Sequence, residues 1–197
     1  MIVGLTGKSC SGKDTAAALL DERFVVIDED GLGHEALEMN TDKLVSAFGD
    51  GILTDGKVDR KKLGPLVFSS PEKLETLNGI THPWMVEETL RRCREIEKEG
   101  KIAVINAAIL ESMGFVPYCN EIIYVMSPLE KRIERAQKRN GTSREDFLRR
   151  AESQKDIGST LFSSGKKVIT IINDKEMEAL SRQVSAYCAS IKKVRVL

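Results

Sequence analysis

The sequence predicts an α/β fold in which helices flank a parallel sheet. Apolar strand-like segments alternate with segments of helical spacing, and the first strand leads into a glycine-bounded loop that opens a helix. Acidic residues directly follow the second strand-like segment, where open α/β sheets hold their ligands. With 197 residues, the chain is long enough for one core with one or two helical excursions.

The first strand, loop and helix form a phosphate-binding motif. Residues 7–15 read GKSCSGKDT, close to the pattern G-x-x-x-x-G-K-[ST]. Backbone N–H groups in such a loop point at one place and favour an anion there, and Lys13 can reach the outer phosphates of a nucleotide. We predict that six consecutive residues bind nucleotide: Cys10, Ser11, Gly12, Lys13, Asp14 and Thr15.

One position of the motif departs from the pattern, because Asp14 stands where a Ser or Thr hydroxyl usually binds magnesium. A carboxylate beside polyphosphate is repelled unless a divalent cation lies between them. Either Asp14 takes the metal-directed role or the hydroxyl of Thr15 supplies it. A third interpretation is that Asp14 only complements the helix dipole.

Composition argues against several classes of protein. Lys plus Arg and Asp plus Glu both number 30, so no net charge attracts the chain to nucleic acid or membrane. The four cysteines lie far apart without CxxC spacing, which predicts reduced thiols in a cytoplasmic protein. We expect no signal peptide, and no apolar run approaches the ~20 residues of a membrane span.

Three acidic residues, 28–30, follow the second strand-like segment, residues 24–27. If the strand continues, Asp28 and Asp30 point to the same face at its carboxyl end. We expect strand two to end beside the phosphate loop, which would place Asp30 across the crevice from Lys13. The alternative is a polar turn in which an Asp caps the next helix.

The segment from about residue 31 to residue 100 has mostly helical spacing, with breaks at Gly and Pro. Such an excursion between two strands is long enough to build a substrate pocket. His82 lies within it before Pro83, and a lone histidine is more often structural than a ligand contact.

Three further strands complete the predicted sheet, at residues 101–108, 121–126 and 168–172. The third strand lacks the acidic pair with which motors and switch proteins hold magnesium, which argues against that class. Two charged helices after the fourth strand carry six arginines: Arg132, Arg135, Arg139, Arg144, Arg149 and Arg150. These arginines form either solvated ion pairs or a mobile flap that brings one to three of them onto the transferring phosphate.

With these residues in view, the chain resembles the dephospho-coenzyme A kinases, a family of P-loop small-molecule kinases, over nearly its whole length. The resemblance rests on the loop, VIDED, DRKKLGPLVFSSPEK, the pair His82-Pro83, AAILESMGF, RNGTSRED continuing to Arg150 and Gln154, and VITIIND. Lys8 and Cys10 replace usual loop glycines, His34 replaces a usual arginine, and Ala107 replaces a usual proline. Since non-glycine residues resist positive φ, the loop changes are expected to affect how the backbone wraps phosphates.

The resemblance implies a three-layer P-loop nucleoside triphosphate hydrolase fold, with a five-stranded parallel sheet, a helical substrate-binding insertion and a small lid. The implied core is residues 1–30, 101–136 and 166–197, the insertion residues 31–100 and the lid residues 137–165. It also implies that ATP and Mg²⁺ are used to phosphorylate the ribose 3′-hydroxyl of dephospho-CoA. The alternatives are another P-loop kinase, acting on a nucleoside monophosphate, and a fold relative that binds nucleotide without turnover.

The resemblance also implies roles for individual residues. Four are implied in catalysis: Lys13, Asp30, Arg139 and Arg144. Asp30 corresponds to the base for the acceptor hydroxyl. Arg150, in the lid, and Asn173, near the adenine, are implied to extend the ATP site. Five residues are implied to bind the substrate: Asp28, Asp30, His34, His82 and Glu111.

Overall fold

The computed structural model describes residues 1–152, 154 and 157–191. Its strands are β1 (Ile2–Thr6), β2 (Phe24–Asp28), β3 (Leu53–Thr54), β4 (Lys57–Val58), β5 (Ile102–Asn106), β6 (Glu121–Met126) and β7 (Lys167–Ile172). Its α-helices are α1 (Lys13–Ala18), α2 (Glu29–Met39), α3 (Thr41–Phe48), α4 (Arg60–Phe68), α5 (Pro71–Lys98), α6 (Leu129–Asn140), α7 (Arg144–Glu152) and α8 (Met177–Ser190). Residues 153, 155 and 156 of the predicted lid, and 192–197 of the predicted core, lie outside the described residues.

Five strands form one sheet in the order β2-β5-β1-β6-β7. The pairs β1–β5, β1–β6 and β6–β7 are parallel, which confirms the α/β fold expected from the sequence. The prediction that strand two ends beside the phosphate loop is wrong, because β5 lies between β2 and β1. In the β1–β5 register Leu5 faces Asn106, so the carboxyl end of β5 is a direct neighbour of the loop, as is that of β6 on the other side of β1.

The chain forms two compact units, one of Met1–Ile27 and Arg92–Leu197 and the other of Asp28–Arg91. In the first unit, apolar residues of the strands pack with residues of α1 and α8 into one core. All five residues of β5 are buried, as in other strands of parallel sheets that are covered on both faces. One buried cluster of this unit contains Val3, Leu5, Ala16, Ala17, Phe24, Ile102, Val104, Ile123, Val125, Ile171, Leu180, Val184, Tyr187 and Cys188.

The second unit is built mainly from helices, as the sequence predicts, but it also contains an antiparallel hairpin of β3 and β4. Asp55 and Gly56 connect these strands with φ of 51° and 75°, the positive values that two-residue hairpin turns require. From the sequence, Gly56 is predicted only as a break between helical segments, since strands of two residues leave no periodic pattern. The unit has its own buried cluster of Leu44, Ile52, Leu63 and Val67.

Within residues 1–152, 154 and 157–191, no helix combines the length and the apolar character needed to cross a membrane. The longest, α5, has 28 residues, but its sequence alternates charged and apolar side chains.

Candidate functional site

The phosphate loop lies between β1 and α1, and two of its glycines are required by close contacts. Gly12 precedes α1 with a φ of 93°, and a Cβ at this residue would lie 2.1 Å from Nδ2 of Asn173. A Cβ at Gly7 would lie 2.5 Å from the carbonyl oxygen of Val125. Any larger residue at these positions would displace the loop from the neighbouring strands.

Cys10 adopts a backbone conformation that favours glycine. Its φ is 59°, in the left-handed region, so the expectation that a non-glycine residue strains this loop applies to Cys10. Its side chain offsets part of this cost by packing against a buried cluster of Ile133, Ala136 and Phe147. The loop therefore keeps its wrapped shape although a usual glycine is absent.

This strain leads to a prediction about stability at Cys10. We expect Cys10→Gly to be more stable than Cys10→Ala by roughly 1 kcal/mol, because both lose the thiol but only alanine keeps the left-handed strain. Chemical denaturation of the two variants measures the difference in the free energy of unfolding. The same pair of substitutions at Asp55, the other non-glycine residue with positive φ among the described residues, is the positive control. An alanine variant at residue 10 as stable as the glycine variant would contradict the prediction.

The loop is held in place through its carbonyl groups. Arg132 Nε donates to the carbonyl oxygen of Ser9 at 2.8 Å, and Arg135 Nη1 donates to that of Cys10 at 3.2 Å. The carbonyl of Ser11 accepts from Arg135 Nη1 at 3.3 Å and from Asn173 Nδ2 at 2.8 Å. Arg135 also donates to Asn173 Oδ1, at 3.1 Å, which ties the two supports together.

These contacts determine which way the loop amides face. In a planar trans peptide the N–H points opposite to the preceding carbonyl. Because the carbonyls of Ser9 and Ser11 face the side chains of Arg132 and Asn173, the N–H groups of Cys10 and Gly12 point to the other side. At the start of α1, the first intrahelical bond is made by the N–H of Ala16, so the preceding amides have no helical acceptor. The arrangement suits an anion on this side of the loop.

Lys13 and Asp14 open α1 and both contact Asn106 at the end of β5. Lys13 Nζ donates to Asn106 Oδ1 at 2.6 Å and to Asp14 Oδ1 at 2.9 Å. Asn106 Nδ2 donates to the same oxygen of Asp14 at 3.1 Å. Partial burial raises the pKa of the Asp14 carboxyl, but the hydrogen bonds from Lys13 and Asn106 outweigh it and leave this pKa below its usual value. Asp14 is therefore an anion at neutral pH, and Thr15 lies half-buried beside it.

The acidic residues after strand two belong to a helix start. β2 ends at Asp28 and α2 begins at Glu29, so the strand does not continue to Asp30, and the alternative, a turn in which an Asp caps the next helix, is the one found. Asp28 is the N-cap of α2, and its Oδ2 accepts from the N–H of Gly31 at 3.2 Å. Asp30 lies exposed in the first helical turn. The helix begins here because the side chain of Asp28 accepts a hydrogen bond from the Gly31 N–H, which has no acceptor within the helix.

The other residues implied to bind substrate lie in both units. In the second unit, His34 is exposed and contacts Arg60, while His82 is half-buried on α5, where burial lowers its pKa. In the first unit, Glu111 accepts from the N–H of Gly158 and of Thr160, the latter at 3.0 Å. Glu111 therefore anchors two residues of the predicted lid, and its role towards substrate stays a prediction.

The six arginines divide into two groups. Arg132 and Arg135 together support the loop. Arg132 is buried, and this burial lowers the pKa of its guanidinium. The Nη2 of Arg132 has no hydrogen-bond partner among the described residues. The other four are exposed: Arg139, Arg144, Arg149 and Arg150. Arg144 forms a two-point ion pair with Glu130, at 2.6 and 2.7 Å. The ion-pair interpretation thus holds for Arg144, and the flap that brings arginines onto the transferring phosphate stays a prediction for the exposed group.

Asn106, Arg132 and Arg135 were not predicted from the sequence to be site residues. Asn106 ends an otherwise apolar strand, so the rule that directs attention to carboxyl ends of strands would have selected it. Asn106 is not acidic, however, and the prediction for this strand end concerned only an acidic pair. For Arg132 and Arg135, helical spacing shows that they lie near one another on α6, but it does not show which face contacts the loop.

The phosphate loop and the order of the sheet place the chain among the P-loop α/β proteins. Comparison with known proteins narrows this class. The sequence model of the dephospho-CoA kinase family matches residues 1–177, and the chain therefore belongs to that family.

Individual relatives are similar along most of their length. A dephospho-CoA kinase of Fusobacterium nucleatum is 33% identical over 198 residues, which cover 97% of this chain and 98% of the relative. Another, of Carboxydothermus hydrogenoformans, is 37% identical over 163 residues, or 78% of this chain and 77% of the relative. A crystal structure of a Thermus thermophilus protein has a TM-score of 0.79 at 31% identity and covers 98% of both chains. The dephospho-CoA kinase structure from Campylobacter jejuni, with a TM-score of 0.66, 24% identity and 95% of both chains covered, supports the fold.

Proposed function

We propose that this protein is an ATP-dependent kinase that phosphorylates the ribose 3′-hydroxyl of dephospho-CoA and so completes coenzyme A. The observation that carries the proposal is the family match over residues 1–177, which includes the phosphate loop and Asn173. The outward N–H groups of the loop and the ammonium of Lys13 supply positive charge for the triphosphate. Asn173, which supports the loop, extends the nucleotide site towards the adenine.

In the proposed reaction, the 3′-oxygen of the acceptor forms a bond to the γ-phosphorus of ATP. The bond from that phosphorus to the bridging oxygen of the β-phosphate breaks, and ADP leaves. Asp30 accepts the proton of the hydroxyl, while Lys13 stabilises the charge on the phosphates. Arg139 and Arg150 add positive charge from the lid, and Arg144 does so after exchanging Glu130 for phosphate. Asp28, His34, His82 and Glu111 are proposed to bind dephospho-CoA.

The residues at the start of α1 fit a magnesium ion. Asp14 is an anionic oxygen ligand, and Thr15 adds a hydroxyl on the same turn. Among the described residues, no three His, Cys, Asp or Glu side chains are grouped to hold a metal. This suits Mg²⁺, which is usually held by one or two protein ligands together with substrate phosphates. Bound there, Mg²⁺ would neutralise developing charge on the phosphates.

Asp14 therefore has a testable role in metal dependence. We expect Asp14→Ala to raise the Mg²⁺ concentration needed for half-maximal activity, and Asp14→Ser to restore the ordinary arrangement of the motif. A magnesium titration of both variants measures this. Glu178→Ala, which removes a first-turn acid from α8, is the control. If Asp14 only complements the helix dipole, its loss lowers the free energy of unfolding by ~0.3–1 kcal/mol and leaves the metal dependence unchanged.

Release of ADP with and without dephospho-CoA tests the proposed function. We expect release to require dephospho-CoA, because the γ-phosphoryl group needs the acceptor hydroxyl. Release of ADP in the presence of a nucleoside monophosphate, with no release in the presence of dephospho-CoA, would indicate another kind of P-loop kinase. Release without any acceptor would indicate an ATPase, and nucleotide binding without release would indicate a fold relative that has lost turnover.

The cysteines support the expected location in the cytoplasm. All four lie within the described residues and none forms a disulfide. Burial raises the pKa of the Cys119 thiol to about 12, so this thiol stays protonated and unreactive. Buried thiols of this kind are typical of reducing compartments, and the cytoplasmic location stays a prediction.

A further inference from the structure

Asn106 contacts Lys13 and Asp14, the two charged residues that open α1, with a single amide group. It is the last residue of β5 and is 5% exposed. Its Oδ1 accepts from Lys13 Nζ at 2.6 Å, and its Nδ2 donates to Asp14 Oδ1 at 3.1 Å. The three side chains close a triangle, because Lys13 also donates to Asp14 at 2.9 Å.

The orientation of this amide follows from the chemistry of its partners. A lysine ammonium has only donors, and an ionised carboxylate has only acceptors. The oxygen of Asn106 must therefore face Lys13, and its nitrogen must face Asp14. The reversed amide would place donor against donor and acceptor against acceptor, so both contacts select the same orientation.

We propose that Asn106 is a positioning residue for ATP binding, which holds the Lys13 ammonium and the Asp14 carboxylate in a fixed arrangement before nucleotide arrives. This inference rests on the proposed function as an ATP-dependent kinase. The ammonium has three N–H donors, of which Asn106 and Asp14 take two; no other described residue accepts the third, which is left for a phosphate oxygen. The second oxygen of Asp14 is likewise left for a cation.

The amide improves binding by restricting a flexible side chain. Lysine has a four-carbon stem that loses rotamer freedom when it binds a ligand, and holding it in place beforehand avoids part of that cost. A second carboxylate at residue 106 would hold Lys13 as well, but it would neutralise the ammonium and repel phosphate. A neutral amide holds the lysine and preserves its charge for the nucleotide.

Two variants separate this role from simple packing. Asn106→Asp keeps the shape and the acceptor for Lys13, but it removes the donor to Asp14 and adds a negative charge. Asn106→Leu keeps comparable bulk and removes both contacts. Calorimetry with ADP and Mg²⁺ measures binding independently of turnover. We expect each variant to bind ADP about 10- to 100-fold more weakly, because the loss of a hydrogen bond to a charged group lowers affinity by about this factor. Asn106→Asp should bind ADP more weakly than Asn106→Leu.

Steady-state kinetics give a second readout that a purely structural role would not produce. The KM for ATP should rise, while the KM for dephospho-CoA should stay unchanged. Asn120→Asp is the matched control, because Asn120 accepts from the N–H of Ile2 at the opposite end of β1, at 2.7 Å. This control should bind ADP as the unaltered protein does.

Wild-type affinity for ADP in Asn106→Asp would overturn the inference, because a packing role tolerates a change that keeps the shape. Should either variant fail to fold, Asn106→Ser, which is too short to bridge both charges, gives the same test. An unaltered protein that binds ADP but does not phosphorylate dephospho-CoA would contradict the proposed function and leave the role of Asn106 in nucleotide binding measurable.

Discussion

The Lys13→Ala variant is expected to fold normally and to lose phosphoryl transfer by about 10³-fold or more. Catalysis of this transfer consists mainly of positioning and charge neutralisation, and loss of one such electrostatic contact commonly costs 10²–10³ in rate. Lys13 is 9% exposed and is the loop's charge at the motif position. Its removal would also leave Asp14 as an unbalanced negative charge beside the phosphates. Steady-state turnover measures the loss of phosphoryl transfer, and thermal unfolding shows whether the variant folds normally.

Lys101→Ala is the matched control for this variant. Lys101 precedes β5 at the end opposite to Asn106, is exposed, and pairs with Glu99 at 3.4 Å. Its loss removes the same charge and the same side chain far from the loop, so turnover should not change. Near wild-type turnover by a folded Lys13→Ala protein would contradict the assignment of this loop as the phosphate-binding site.

The second large effect is expected for Asp30→Asn, which should retain binding of ATP and dephospho-CoA but lose turnover by ~10²-fold or more. A ribose hydroxyl is a poor nucleophile until its proton is accepted by a base, and asparagine cannot act as one. Asp30 is exposed in the first turn of α2 rather than in the cap position, which Asp28 occupies. Single-turnover rates with saturating substrates measure the chemical step directly.

Asp42→Asn provides the control for Asp30. Asp42 is an exposed acid in the first turn of α3 within the same unit, so its substitution has the same effect on helix-dipole energy. If Asp30 acts only on the dipole, the two variants would lose the same ~0.3–1 kcal/mol of stability and neither would lose rate. A folded Asp30→Asn enzyme working at wild-type speed would exclude Asp30 from the mechanism.

Much of the fold could be predicted because its signals are local in the sequence. The prediction for the fourth strand, residues 121–126, coincides with β6, and the fifth strand differs by one residue at its start. Both are apolar runs bounded by polar residues. The phosphate loop is equally local, because its glycines, its lysine and the start of the helix are contiguous. The hairpin of β3 and β4 was missed, since two residues are too few for a periodic pattern.

The same distinction holds for the candidate site. The sequence by itself determined that Lys13 opens a helix after a phosphate loop, that Asp14 is an unusual neighbour for it, and that strand ends carry polar residues. Which polar residue meets the loop was decided by strand order, because pairing in a sheet joins distant segments that local spacing does not relate. That order put Asn106 beside Lys13, where the sequence analysis expected the acids of strand two.

The loop supports were likewise decided by tertiary structure. Arg135 and Asn173 are separated by 38 residues, and both reach the carbonyl of Ser11 only because α6 and β7 pack around the loop. Helical spacing shows that Arg135 and Arg139 share a face of α6, but not that Arg135 faces the loop while Arg139 stays exposed. Side-chain partners of this kind depend on which elements pack together, which only the folded chain determines.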